Sequence, residues 1–301
     1  MATSIPRQES KIHFDDSGCC RENVPLLKTS YRAYCRAYNM LVTNWLAGTI
    51  GSGVPNDDYD VRVIRNAVED SVRDLTISAE DESTSGLEEV QRVYDNLVVL
   101  CVQGHLRTVV SHRRWLDKCY QLCLKIGVKL SDNMKDHILR HDLSKFSPLE
   151  ALGYAVMFGD GSVGFRKLET LEEQTEWDLA LKHHYAHNCH HPEYFRQGGV
   201  SVVQDRRESM DNDSDGSLHL DESILDMMAA RGERELKHDN EISIQKILDM
   251  PAQYLRRYTD ADRKYVTQTM VAWSEKARNF MSVEGNAHIF DGLFDERHVV
   301  Y

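Results

Sequence analysis

The residues able to do chemistry are concentrated between His137 and Phe195. That stretch holds seven of the chain's 14 histidines: His137, His141, His183, His184, His187, His190 and His191. It opens as HILRHDLSKFSPLE, where Asp142 follows His141 and Lys145 stands three residues on, and closes as LKHHYAHNCHHPEYF. Neutral imidazole and carboxylate are the usual ligands of zinc, manganese, iron and cobalt. A solvated helix face is ordinarily built from Lys, Glu and Arg instead. The pattern points to one or two divalent ions, with manganese, iron, magnesium, cobalt or zinc all admissible. Asp142 can bridge two ions while His141 binds one of them. His183 or His184, with His190 or His191, can supply the second. Water on such a centre has its pKa lowered toward neutrality and becomes a nucleophile. Adjacent side chains on a helix point about 100° apart, so one histidine of each pair is expected to bind directly and the other to hold a carboxylate or substrate. Lys145 can neutralise a phosphate oxygen or a leaving group. Glu193 and Asn188 are candidates to fix imidazole tautomers.

These residues need helices to position them. Apolar residues at spacings of three and four predict a helix over 26–46, with Tyr31, Tyr34, Tyr38 and Trp45 as a packing stripe, and others over 57–75 and 87–126, the last broken near Gly104. His105 and His112, seven apart, share a face of that long helix; His112 reads by default as a satisfied helix histidine. Ser131 can cap a short helix over 132–141 that delivers the His141-Asp142 pair. Ser147-Pro148-Leu149-Glu150 reads as a capping box with proline at the first helical position, opening a helix to about Phe158. A helix over 168–188 carries His183, His184 and His187 at its C-terminal end, where the helix dipole favours imidazolium. Helices over 221–237, 242–258 and 260–277 complete an all-α body. The acidic stretch 78–86 suggests a boundary, giving a polar disordered tail (1–25), an N-terminal helical extension (26–85), a helical metal-binding domain (86–280) and a C-terminal tail. The run DNDSDG at 211–216 lacks the register of a calcium loop.

Bulk properties narrow the class. A net charge of −12 argues against long nucleic acids as partners, although a local metal site can still take a small phosphorylated substrate. No apolar run is long enough to span a membrane, and the N-terminus carries no secretory h-region. Seven cysteines without a CxxC pair read as free thiols in a reducing, cytoplasmic setting. Cys119 and Cys123 read as buried small hydrophobes. Composition is silent on oligomeric state.

The order His105, His141-Asp142, His183-His184, His190-His191 and a distal carboxylate resembles the HD-domain superfamily of metal-dependent phosphohydrolases, with LRHDLSKF matching its apolar-HD-x-x-K segment. More closely, GHLRTVVSH, HDLSKFSPLE, HHYAHNCHHPEYF and LDESILDMMA resemble a phage and bacterial family labelled as a domain of unknown function, over about 100–265. The resemblance implies an HD-like helical bundle and metal ligation by His105, His141, Asp142, His183, His184, His190, His191 and Asp226. It implies catalytic roles for Asp142, Lys145 and Glu193. His137 and His187 have no counterpart in it. The family's distal Asp falls on Ala230 here, and Asp226, one turn earlier, is the carboxylate able to replace it. The expected activity is metal-dependent hydrolysis of a small phosphate ester or nucleotide. The alternatives are a non-haem di-iron oxygenase on the same scaffold and a non-catalytic, metal-stabilised helical binding protein.

Overall fold

A computed structural model describes residues 23–51, 65–66, 84–159, 165–196, 218–237, 244–248, 252–283 and 286. The readings made for the N-terminal tail up to residue 22, for most of the 57–75 helix, for the 211–216 run and for the end of the chain lie outside the described residues. The described residues are all-α apart from one two-residue antiparallel pair. They fall into two compact units, Met1–Val99 and Leu100–Tyr301. The division between them falls inside the long helical stretch expected over 87–126, between Val99 and Leu100.

In the N-terminal unit, β1 (Asn23–Val24) and β2 (Thr29–Ser30) form a short hairpin around Lys28, whose φ is 47°. This hairpin takes up residues expected to be helical, so α1 (Tyr31–Gly51) starts later than residue 26. Tyr34, Tyr38, Leu41, Val42 and Trp45 form the buried stripe of α1, and α2 (Thr84–Val99) buries Val90, Val93 and Leu97. Tyr31, at the head of the aromatic series, is only half-buried. The Thr29 hydroxyl donates to Glu89, and Arg92 donates to the Leu27 carbonyl at 3.2 Å, fastening the hairpin to α2.

The C-terminal unit begins at a break. Cys101 adopts a left-handed conformation with φ 59°, ending the helical run three residues before Gly104, which lies buried inside α3 (Val102–Lys125). Next come α4 (Met134–Arg140), a 3-10 turn (Leu143–Phe146), α5 (Pro148–Phe158), α6 (Leu171–His187) and α7 (Pro192–Arg196). The chain closes with α8 (Leu218–Lys237), α9 (Ile244–Leu248), a second 3-10 turn (Ala252–Arg257) and α10 (Asp260–Met281). The helix expected over 242–258 is thus two short pieces, with Pro251, which has no N–H to donate, between them in sequence. The core joins α3 (Trp115, Leu116, Cys119, Leu122, Cys123), α8 (Ile224, Leu225, Met228) and α10 (Val266, Met270, Trp273). Cys119 and Cys123 are core side chains, as expected of small buried hydrophobes.

Two close helix approaches set the frame of the site. A Cβ at Gly153 on α5 would lie 2.4 Å from the Glu176 carbonyl oxygen of α6, and one at Gly232 on α8 would lie 2.6 Å from the Trp115 ring of α3. Both glycines let a backbone pack where no side chain fits. α6 opens with a capping box: Thr170 accepts from the Glu173 N–H, and Glu173 reaches back to the Thr170 N–H. At α5 the expected box does not form. Ser147 makes no side-chain cap, and Glu150 is fully buried and turned toward α6.

Candidate metal centre

The His141-Asp142 pair sits where α4 ends. Arg113 of α3, itself buried, donates to the Leu139 carbonyl at 3.0 Å and to the His141 carbonyl, satisfying acceptors that the end of a helix leaves open. Asp142 then takes a left-handed conformation with φ 57°. This is costly for a residue with a Cβ, on the order of 1–2 kcal/mol, and it turns the carboxylate inward. Asp142 is 1 % exposed.

Its two oxygens face two different sets of imidazoles. Oδ1 lies 3.6 Å from His184 Nε2 and 3.7 Å from His190 Nε2, and His184 Nε2 lies 2.7 Å from His191 Nε2. Oδ2 lies 3.4 Å from His141 Nε2, 3.9 Å from His112 Nε2 and 2.7 Å from Lys145 Nζ. Asp226 of α8 completes the second set, its Oδ1 2.9 Å from His112 Nε2 and 3.6 Å from His141 Nε2. The donor groups are therefore Asp142, His184, His190 and His191 on one side, and His112, His141 and Asp226 on the other.

These donors fit divalent ions. Tetrahedral zinc–nitrogen bonds of ~2.05 Å put neighbouring donors about 3.3 Å apart, within the span of the separations found. The buried atoms His141 Nε2, Asp142 Oδ1 and His190 Nε2 have no hydrogen-bond partner, although all three are enclosed and aimed at the centre. A buried polar atom left unpaired costs roughly 1–3 kcal/mol, and a shared cation removes that cost for all three.

Outer carboxylates fix the ring orientations. Glu222 of α8 faces His141 Nδ1 at 3.0 Å and His190 Nδ1 at 3.5 Å with one oxygen, and His137 Nδ1 at 2.9 Å with the other. Glu150 faces His184 Nδ1 at 2.9 Å and His183 Nδ1 at 2.6 Å. Glu233 stands 3.7 Å from His112 Nδ1. Where a carboxylate holds the Nδ1–H, as at His141, His190 and His184, the Nε2 lone pair points inward, the arrangement by which outer groups tune metal-binding histidines. Glu222 with His141 and His190 could itself form a donor group. The inward-facing, unpartnered Nε2 atoms of those two histidines favour the orienting role.

The electrostatics agree. Burial, the largest influence, pushes the Asp142 carboxyl up, yet Lys145 and His141 hold it well below the usual range. Asp226 and Glu222 are likewise held well below it, against burial, Asp226 by a hydrogen bond from His112 and the charges of His112 and His141, and Glu222 by hydrogen bonds from His137, His141 and His190. Glu150 is brought down to about 2, again against burial, chiefly by the charge of His184 and by hydrogen bonds from His183 and His184. Burial lowers His190 and His191, keeping them neutral as ligands must be.

Several expectations need correction. His105 belongs to no donor group. It is buried, stacked on Tyr154 with centroids 5.4 Å apart, and burial lowers its pKa to about 3. His183 reaches Glu150 rather than the donors, so of the 183–184 pair His184 alone joins a donor group. The 190–191 pair differs: both rings enter one group because they lie in a turn, where the 100° helical offset does not apply. Glu193 pairs with Arg257 and stands outside the donor set, while Arg257 Nη2 also approaches His191 Nδ1 at 2.9 Å. Asn188 ends α6 and donates to Ser144 Oγ at 2.7 Å and to the His184 carbonyl at 2.8 Å, and its Nδ2 also lies 3.0 Å from His184 Nδ1. His187 meets the His183 carbonyl at 2.8 Å. His112, Glu150 and Glu222 are site residues that the sequence reading did not select. Asp226, one turn before Ala230, is the α8 carboxylate that faces His112 and His141.

The fold and this site define a class: an all-α protein whose C-terminal unit buries a carboxylate-bridged histidine cluster able to hold divalent metal. Within it the chain belongs to a family of unknown function (DUF5662), whose profile matches residues 101–283, more than half of the chain. No curated protein and no solved structure matches it. No helix among the described residues is long and apolar enough to cross a membrane.

Proposed function

We propose that this chain is a divalent-metal-dependent hydrolase of a small phosphate ester or nucleotide, working on an HD-like helical scaffold. The observation that carries the reading is Asp142, which presents one oxygen to His184 and His190 and the other to His141, His112 and Lys145. Asp142, His184, His190 and His191 would hold one ion, and Asp142, His112, His141 and Asp226 the other. Bound there, the metal supplies Lewis acidity and lowers the pKa of water toward neutrality. The chain's own residues do the rest. Glu222, Glu150 and Glu233 hold the Nδ1 protons and keep the Nε2 lone pairs facing inward. Lys145 stays charged: burial opposes this, but Asp142 raises its pKa. Its Nζ, 5.0 Å above the Tyr154 ring, is placed to bind a phosphoryl oxygen or steady the leaving group. That lysine favours a phosphorylated substrate over the oxygenase chemistry that a histidine-rich centre would also support.

The test combines elemental analysis of the purified full chain with a panel of phosphomonoesters, phosphodiesters and nucleotides in added Mn²⁺. The expected result is one or two ions per chain held by the Asp142 centre, turnover of at least one substrate, and loss of these ions and of turnover in Asp142→Ala. Metal bound without turnover across the panel would sink the hydrolase. Bound iron with oxygen consumption would replace it by the oxygenase.

A further inference from the structure

Beside this centre, on its more exposed rim, is a second cluster of which the proposed chemistry uses only Glu222. We propose that His137, Cys189, His219 and Glu222 form a separate site for one zinc-type divalent ion, whose role is to fasten together the three segments that carry the histidine centre. One donor atom from each residue lies within 4.8 Å of all the others. His137 Nδ1 and Glu222 Oε2 are 2.9 Å apart, and the His137 and His219 rings face each other with centroids at 5.4 Å. His219 and Glu222 stand three apart on α8, on one helix face.

The ligand chemistry selects the ion. A thiolate, two neutral imidazoles and a carboxylate carry a charge of −2, which one divalent cation cancels. Sulfur beside imidazole suits zinc or cobalt and disfavours magnesium or calcium. The segments joined are α4, which delivers His141; the turn after α6, where Cys189 adjoins His190; and α8, which carries Asp226. Glu222 is the common member: its Oε1 faces His141 and His190 of the centre, and its Oε2 faces the new site. The His137 side chain is 27 % exposed, so an ion can reach this site without passing through the buried centre. The proposal does not depend on what the centre catalyses.

The probe is Co²⁺ added to the metal-free full chain and followed in the near ultraviolet, where thiolate-to-cobalt charge transfer absorbs. The expected result is a band that saturates at one ion per chain. Cys189→Ser abolishes it and lowers the bound metal by one ion per chain; His184→Ala keeps it. Cys189→His is expected to restore the ion without the band. Absence of the band in the wild type, or its survival in Cys189→Ser, overturns the proposal. His219→Ala is the second variant should Cys189→Ser fold poorly: it is expected to lose the same ion, and an unchanged metal count there overturns the proposal too. Turnover read on the same samples keeps the two readings apart. A band without turnover sinks only the hydrolase, and turnover without a band sinks only this site.

Discussion

At the scale of single residues, the site is organised by carboxylates that touch histidines rather than metal. Glu150 accepts from two imidazoles, one per oxygen. In Glu150→Gln the amide keeps one acceptor and turns a donor toward the other ring, so His183 or His184 must give up its bond or switch tautomer. Metal affinity on the His184 side is expected to fall about 10–100-fold, measured by competition with a chelating dye. His112 gives a pH dependence. Although burial, the largest influence, lowers its pKa, hydrogen bonds to Asp226 and Glu233 raise it from 6.5 to about 9. A folded-state value above the ordinary one means that the charged ring stabilises the metal-free protein below pH 6.5, and that this is lost as pH rises through about 9. An ion bound by His112 must displace that proton. Mn²⁺ affinity is therefore expected to climb by up to tenfold per pH unit toward pH 9, and His112→Asn to flatten the profile in titrations across that range. His141-Asp142, His184, His190 and His191 were legible in the sequence because their type and spacing are themselves the signal, whereas Asp226 entered only through the family resemblance. Glu150 was not, because a serine, a proline and a glutamate at capping spacing carry a local meaning that a contact 33 residues away overrides. A better clue was its company: the only ionisable acid in PLEALGYAVMF, an otherwise apolar helix, has to be buried and paired. Glu222 and Asp226, four apart on α8, carried a similar clue, since two like charges on one helix face ask for cations between them.

At the scale of elements, the site depends on how closely α5 and α6 approach. Glu150 is on one and His183 and His184 are on the other, and Gly153 lets the two backbones meet. In Gly153→Ala the added Cβ would stand 2.4 Å from the Glu176 carbonyl oxygen and 2.5 Å from the Ala180 Cβ, and backbone cannot yield as a side-chain tip would. Overpacking of this kind costs typically 1–3 kcal/mol. The helices are expected to part enough to lengthen the Glu150–His184 contact. Thermal melting and metal titration of the variant should therefore move together, with lower Tm and weaker binding. Unchanged binding at lower Tm would mean that the pair tolerates the shift. Helices were the most legible feature of this chain, because the buried stripes of α1, α3 and α8 follow the helical period. Breaks were less so. The run through 87–126 was expected to break near Gly104, and it breaks three residues earlier, at Cys101, whose left-handed backbone no composition rule marks. Gly104 is retained inside α3 at a buried position.

At the scale of the whole molecule, every donor and every orienting carboxylate lies between Leu100 and Tyr301, the second compact unit, and the family match lies in the same region. That unit also has its own core, built from α3, α8 and α10. A fragment of residues 100–301 is therefore expected to fold and to bind metal as tightly as the full chain. The centre gathers Asp142, Asp226, Glu150 and Glu222 in a chain whose net charge is already −12. A cation there relieves local repulsion and binds only the folded form, so stability must rise with its concentration. At a free metal concentration 100 times the dissociation constant the gain is about 2.7 kcal/mol, or roughly 5–10 °C in Tm for a unit of this size. Differential scanning calorimetry of the full chain and the fragment, each with and without Mn²⁺, measures both quantities. Equal shifts in the two would place the whole binding function in the second unit. A shift confined to the full chain would mean that the first unit supplies part of the site's stability, and would make α1 and α2 the next objects of mutation.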